Sequence, residues 1–232
     1  MNTLLQCSNV SKYYGSKQAL SHVDLLVPPG RIVGLLGPNG SGKTTFIKLV
    51  SGLLTPSFGT ITMNGRNIGV ETKAMVSYLP ERTYLNNWMK VTDIISFFQD
   101  FYKDFNPEAA YDMLQRLNIN PEDKLKTMSK GTKEKVQLIL VMSRNARLFL
   151  LDEPIGGVDP AARDYILDTI ISNYNRDASI IISTHLINDV EKVLDDVAFL
   201  KEGSIVFYQP KETVIEKEGK SIDQLFREVF KC

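Results

Sequence analysis

The sequence predicts an α/β protein, with a parallel sheet flanked by helices, an antiparallel β region towards the N-terminus and an inserted block of helices. Three observations carry this expectation. RIVGLL (31–36), LFLLD (148–152) and SIIIST (179–184) are apolar runs of strand length, and the last two pass through polar turns into helical patterns, as β-α-β units do. Residues 19–27 and 59–68 carry strand patterns bounded by turn residues. Between 83 and 145 the apolar spacing changes to that of helices.

The elements follow in order. ALSHVDLLV (19–27) sets Leu20, Val23, Leu25 and Val27 among polar residues, and Pro28-Pro29-Gly30 then breaks the chain. RIVGLL leads through a glycine-rich turn into a helical stretch, TTFIKLVSGLL (44–54). GTITMNGRNI (59–68) alternates around Asn64-Gly65, a strong hairpin signal. VTDIISFFQDFYK (91–103) has apolar residues at 91, 94, 95, 98, 101 and 102, one face of a helix. Asn106 supplies an N-cap and Pro107 a first helical residue for a helix ending near Asn118. Ser129 caps a helix through KEKVQLILVM. VAFLKEGSIVFY (197–208) reads as a hairpin around Glu202-Gly203, and SIDQLFREVF (221–230) as a closing amphipathic helix. The expected division is a catalytic core with its β subdomain over 1–82 and 146–232, and a helical subdomain over 83–145.

Composition narrows the function. The 27 basic and 27 acidic residues cancel, which argues against a dominant electrostatic grip on nucleic acid or acidic lipid. Cys7 and Cys232 read as free thiols in a reducing compartment. MNTLLQCSNV lacks the basic and apolar regions of a secretory leader, and no apolar run approaches the roughly 18 residues of a membrane span. The expected location is cytoplasmic, with any membrane role exercised through a partner.

GPNGSGKT (37–44) fits G-x-x-x-x-G-K-[ST] between a strand and a helix, the context that motif requires. Gly37, Gly40 and Gly42 permit backbone geometry that turns successive N–H groups inward around phosphate oxygens, and the next helix adds its positive end. Pro38, Asn39, Ser41 and Thr45 complete the loop and its exit. Lys43 neutralises the β- and γ-phosphates, and Thr44 offers a hydroxyl to Mg²⁺. The core is therefore expected to be a P-loop NTPase of the RecA-like kind. LFLLDEP (148–154) ends a strand in two carboxylates. Asp152 takes the metal-supporting role, and Glu153 projects differently, as a base or orienter for an attacking water. Alone, such a pair is usually a solvated turn; behind a phosphate loop it reads as catalytic. His185, after the second core strand, is placed to donate a hydrogen bond to a γ-phosphate oxygen.

Phosphate loop, helical insert, LFLLDEP and STH in that order resemble the ATP-binding subunit of an ABC transporter, over essentially the whole chain. The resemblance implies a dimer that sandwiches two ATP molecules, each between one subunit's phosphate loop and the other's signature helix. It places MSKGT (128–132) at the family signature L-S-G-G-Q, so that Ser129, Lys130 and Gly131 face phosphate. It makes Tyr14 the aromatic that stacks on adenine, Tyr78-Leu79-Pro80-Glu81 the loop that normally ends in glutamine, and Gly156-Gly157-Val158-Asp159 the D-loop, with Asp159 as its acid. It implies ATP and Mg²⁺ as cofactors, with Thr44, Asp152 and Glu81 at the metal. It also implies a transmembrane permease subunit as partner, a second ATPase subunit in a homo- or heterodimer, and a position on the inner face of the cell membrane. The SKGT form of the signature resembles subunits of bacterial drug and antibiotic-peptide exporters, and the short tail is in keeping with one.

Four positions depart from the family pattern. Lys130 and Thr132 alter the signature, Glu81 replaces glutamine, and Gly156 stands where serine or asparagine is usual. Lys130 adds positive charge at a helix N-terminus already suited to phosphate. Glu81 near a γ-phosphate repels, and slow hydrolysis or a strong need for the membrane partner is expected. Val91, Ile94, Ile95 and Phe98 read as ordinary core, but Trp88 and Met89, with Phe97, Phe98, Phe101 and Tyr102, exceed what one helix face buries, and the resemblance implies that some of that surface receives a coupling helix of the membrane subunit. Two other classes compete. A soluble ABC ATPase acting on ribosomes or DNA would carry two such domains with a charged linker, or long coiled-coil insertions. A non-hydrolysing nucleotide-binding module would lack Lys43, Asp152 or Glu153.

Overall fold

The computed structural model describes residues 3–156, 158 and 160–230. Strands β1 (Leu5–Tyr14), β2 (Lys17–Val27), β4 (Phe58–Met63) and β5 (Arg66–Asn67) form an antiparallel sheet in the order β2-β1-β4-β5. A six-stranded sheet holds β3 (Ile32–Leu36), β6 (Val76–Leu79), β7 (Leu148–Asp152), β8 (Ser179–Thr184), β9 (Asp196–Lys201) and β10 (Ser204–Pro210). Its order is β10-β9-β3-β8-β7-β6; all neighbours are parallel except β10 against β9.

β3, β7 and β8 are buried along their whole length, as parallel strands covered on both faces must be. Their side chains divide by the two-residue period of the strand. Val33, Leu35, Leu150 and Ile181 join Leu20, Val23 and Phe46 in one core against the antiparallel sheet. Ile32, Leu36, Phe149, Ile180 and Ile182 join Val136, Ile139, Ile166 and Ile170 in a second core against the helices.

The helices are α1 (Lys43–Val50), α2 (Val70–Ala74), α3 (Val91–Phe101), α4 (Pro107–Arg116), α5 (Lys130–Met142), α6 (Pro160–Asn173), α7 (Ile187–Val190), α8 (Lys211–Glu218) and α9 (Ile222–Phe230). α4 starts where the sequence places it: the Asn106 side chain accepts from Ala109 N–H at 3.0 Å. At α5 the Ser129 hydroxyl accepts from Thr132 N–H at 3.1 Å. Asn64-Gly65 and Glu202-Gly203 both adopt the left-handed conformation of tight hairpins.

Two helices are shorter than the apolar pattern predicts. α1 stops at Val50 rather than running through Leu54, because Gly52 turns left-handed and the N–H groups of Leu53 and Leu54 fold back to Lys48 O. α3 stops at Phe101, and Tyr102 leaves in an extended conformation. α2 and β6 were not anticipated; β6 is a four-residue edge strand whose one ladder is with β7. The Cys7 thiol is free and buried, and burial with the Asp24 charge pushes its pKa up to about 12.

Arg144, just past α5, joins three elements. It is 6% exposed. Its guanidinium donates to Asp104 at 2.9–3.0 Å, to Ala74 O at 2.7 Å and to Val76 O at 2.5 Å, and it covers the Tyr102 ring at 3.9 Å. Arg144→Met leaves Asp104 and two carbonyls without donors, and is expected to cost about 3–5 kcal/mol in urea unfolding. Arg144→Lys should recover little of that loss, because an ammonium cannot reproduce the fork.

Candidate active site

Four segments leave the carboxyl ends of neighbouring parallel strands, where open α/β sheets bind ligands. The phosphate loop follows β3, His185 follows β8, Glu153 follows β7 and Pro80-Glu81 follow β6; these strands are adjacent in the order β3-β8-β7-β6. Cross-strand register aligns Leu36 with Thr184, Ser183 with Asp152 and Leu151 with Leu79. Segments more than a hundred residues apart in sequence thus end side by side.

The loop needs its glycines for two different reasons. Gly40 and Gly42 sit at φ +83° and +111°, where side chains are rarely tolerated. Gly37 has ordinary backbone angles, but a Cβ there would lie 2.4 Å from Leu200 O and 2.6 Å from Ser41 Oγ. Pro38, Asn39 and Gly40 are exposed at the rim, and Ser41 is buried with its hydroxyl unpartnered. The Lys43 ammonium, 6% exposed, donates to Gly37 O at 2.7 Å and Pro38 O at 3.2 Å and lies 3.4 Å from Glu153 Oε1.

The two carboxylates occupy different settings. Asp152 is buried; its Oδ1 accepts from Ser183 Oγ at 2.5 Å and Thr44 Oγ1 at 3.3 Å, while Oδ2 has no hydrogen-bond partner. Burial holds its carboxyl above the usual carboxylate range. The bonds from Ser183 and Thr44 oppose that shift, and the charges of Glu153 and Glu81 add to it. A buried carboxylate with one bare oxygen beside a hydroxyl is an oxygen donor set suited to a hard divalent cation, so these residues fit Mg²⁺. Glu153 turns left-handed at φ 51°, and its carboxylate meets Lys43, the Thr184 hydroxyl at 3.1 Å and His185 Nδ1 at 3.1 Å.

A cavity of about 780 Å³ opens over the loop, lined by Tyr14, Lys17, Gly40, Lys43, Thr44 and Thr45, with Glu81 and Glu153 on its wall. Tyr14 and Tyr13 part here. Tyr13 packs edge-on against Phe58 at 6.2 Å, while Tyr14, 48% exposed, faces the cavity. A second cavity of about 720 Å³ adjoins it, lined by Asn39, Glu81, Lys130, Glu153, Gly156 and His185. Asn39, Glu81 and Glu153 belong to both. His185 lies in the second cavity with Nδ1 turned to Glu153, which leaves its other ring nitrogen for a further contact.

The MSKGT segment is split: Lys130 lines the second cavity with Glu153 and His185, while its neighbours do not reach the loop cavity. Ser129 and Lys130 are exposed at the head of α5, neither Ser129 nor Gly131 lines the loop cavity, and a Cβ at Gly131 would meet nothing within 4 Å. Lys130 pairs with Glu134 at 3.7 Å. Asp159 lies outside the described residues.

Three contributors escaped the sequence reading. Ser183 and Thr184 hold the two carboxylates, and their only signal is a pair of hydroxyls closing an apolar strand. Gln137 is the one polar residue within VQLILVM. Buried on α5, it donates to Pro80 O at 3.2 Å and accepts from Tyr84 N–H at 3.3 Å, tying the Glu81 loop to the signature helix.

Residues 20–156 match a sequence model of the ABC transporter family. The chain is 30% identical to a lipopolysaccharide export system ATP-binding protein of Haemophilus influenzae, covering 93% of this chain and 94% of that protein. It is 26% identical to a lantibiotic transport ATP-binding protein of Streptococcus pyogenes, covering 96% of both. A solved structure described as the ATP binding subunit of an ABC transporter superposes with a TM-score of 0.88 at 28% identity, over 98% of this chain and 100% of that one.

Proposed function

The chain belongs to the ABC transporter family as an ATP-binding subunit with ATPase activity coupled to transport, and from that premise we propose that it drives an exporter as one half of an ATP sandwich dimer. The convergence of Lys43, Asp152 and Glu153 at the ends of β3 and β7 carries the reading. Tyr14 stacks on adenine, and the loop amides of residues 37–45 cradle the phosphates. Thr44 and Asp152, with Glu81 nearby, would hold Mg²⁺, which would supply positive charge to offset that of the β- and γ-phosphates. Glu153 takes a proton from water as its oxygen attacks the γ-phosphorus, and the bond to the β-γ bridging oxygen breaks with its electron pair leaving on ADP. Lys43, His185 and the partner subunit's Ser129 stabilise the developing charge. Lys130, Gly131 and the D-loop Asp159 complete the site from across the dimer; Ser129 and Gly131 lie away from the loop cavity in their own chain, whereas Lys130 also borders the neighbouring cavity that holds its own Glu153 and His185.

Export is supported by the SKGT form of the signature and by relatives named for lipopolysaccharide export and lantibiotic transport. No helix among the described residues is long and apolar enough to cross a membrane. On the pattern of the family, the subunit works from the inner membrane face against a separate permease, whose coupling segment meets the helical block of residues 83–145. Trp88, Phe97 and Phe101 remain exposed, and Phe101 packs edge-on against Tyr102, which with Tyr78 and Tyr84 lines a groove of about 500 Å³. Trp88→Ala is expected to weaken capture of the permease subunit in pull-down; undiminished capture would contradict this docking surface.

Phosphate release from MgATP tests the enzymatic part: wild type turns over and Lys43→Ala does not, whereas equal rates would overturn the assignment. Glu81→Gln removes repulsion at the γ-phosphate and is expected to raise basal turnover. An unchanged or lower rate would mean that Glu81 serves the metal instead.

A further inference from the structure

We infer that Thr184 is a positioning residue that fixes the Glu153 carboxylate while its charged neighbours engage phosphate. Thr184 is the last residue of β8 and is fully buried. Its Oγ1 accepts from Leu186 N–H at 3.0 Å and lies 3.1 Å from Glu153 Oε2. A hydroxyl has one proton and a carboxylate only accepts, so the direction is forced: Thr184 donates to Glu153, and Leu186 sets the hydroxyl rotor.

Glu153 needs such a tether. Its backbone is left-handed, a conformation that non-glycine residues keep only when the surroundings hold it. Its amide is held by Ser183 O at 2.9 Å, with Ser183 Oγ at 3.3 Å. The side chain has three partners that differ in kind. Lys43 at 3.4 Å and His185 at 3.1 Å both have phosphate oxygens to serve, and the His185 side chain is 43% exposed and can turn. Thr184 is neutral, rooted in the central sheet and has no second task. When a triphosphate draws Lys43 and His185 away, the Thr184 bond is the contact that keeps Oε2 in place. The adjacent Ser183 does the same for Asp152 at 2.5 Å, so one strand end sets both carboxylates.

This inference rests on reading Glu153 as the group that prepares the water. Thr184→Val keeps the side chain's shape and removes the hydroxyl; Thr184→Ser keeps the hydroxyl. The Val variant is expected to lose about tenfold or more in kcat, the scale of a misplaced reacting group, with KM for ATP within about twofold of wild type. The Ser variant should recover most of that loss and unfold near the wild-type midpoint, while the Val variant should unfold somewhat lower, because Leu186 N–H loses its acceptor, yet remain folded at the assay temperature. In a Glu153→Gln background, Thr184→Val should leave ATP affinity unchanged. Wild-type kcat in the Val variant, a Ser variant as impaired as Val, or a loss of ATP affinity in both backgrounds would each overturn the role. A Glu153→Gln single variant that hydrolyses normally would instead sink the reading of Glu153, which separates the two failures.

Discussion

Glu153→Gln will abolish ATP hydrolysis and leave ATP binding intact. The amide keeps the size of the carboxylate and an oxygen to accept from Thr184, 3.1 Å away in the native protein. It cannot take a proton from water. Loss of a positioned general base costs about 10²–10⁴-fold in turnover. The change also dissolves the Lys43–Glu153 ion pair, in which both side chains are largely buried. The ammonium is then free for phosphate, so ATP affinity is expected to stay level or rise. Single-turnover phosphate release with equilibrium binding of a fluorescent ATP analogue measures both. Turnover close to wild type would place the base elsewhere, with His185 the nearest alternative at 3.1 Å.

Asp152→Asn will stop hydrolysis and yet stabilise the protein in the absence of MgATP. Asp152 is 1% exposed, and one of its oxygens has no hydrogen-bond partner. Burial raises its folded pKa above the value it has when unfolded, so the native state binds the proton more tightly. With that sign, stability falls as pH rises through the window between the two values, and at neutral pH the ionised carboxylate is a standing cost. Asparagine removes the charge. The thermal midpoint of the variant should exceed wild type at pH 7, and the gap should close as pH falls and the native carboxylate takes up its proton. MgATP should raise the wild-type midpoint more than that of the variant, because ligand binding to the native state adds stability in proportion to affinity. A variant less stable than wild type at pH 7 would mean that the bonds from Ser183 and Thr44 outweigh the burial of the charge.

Much of this architecture was legible because it is locally encoded. The phosphate loop, the Asn106 and Ser129 caps and both hairpins depend on residues within a few positions of one another. The buried strands were readable because β-branched and aliphatic runs of that length have few other uses. What could not be read depends on strand order. Thr184 and Glu153 lie 31 residues apart and meet because β8 is inserted between β3 and β7. Gln137 reaches the Glu81 loop across 57 residues, and Arg144 reaches Asp104 across 40. The edge-on contact of Tyr13 with Phe58 is likewise a tertiary feature, which a sequence pattern cannot supply. The ends of α1 were misjudged at Gly52, where the apolar spacing continues after the backbone has turned away.

The signature is where departure from the family pattern bears most directly on function. MSKGT keeps the Ser129 cap and an open Gly131, and adds an exposed cation at 130. A helix N-terminus of this composition suits a phosphate presented by another subunit. Glu153→Gln protein on a sizing column with light scattering, with and without MgATP, tests that grip directly. The predicted result is a shift from monomer to dimer that needs MgATP and is lost when Ser129→Arg is added. A protein that binds ATP and remains monomeric would contradict it.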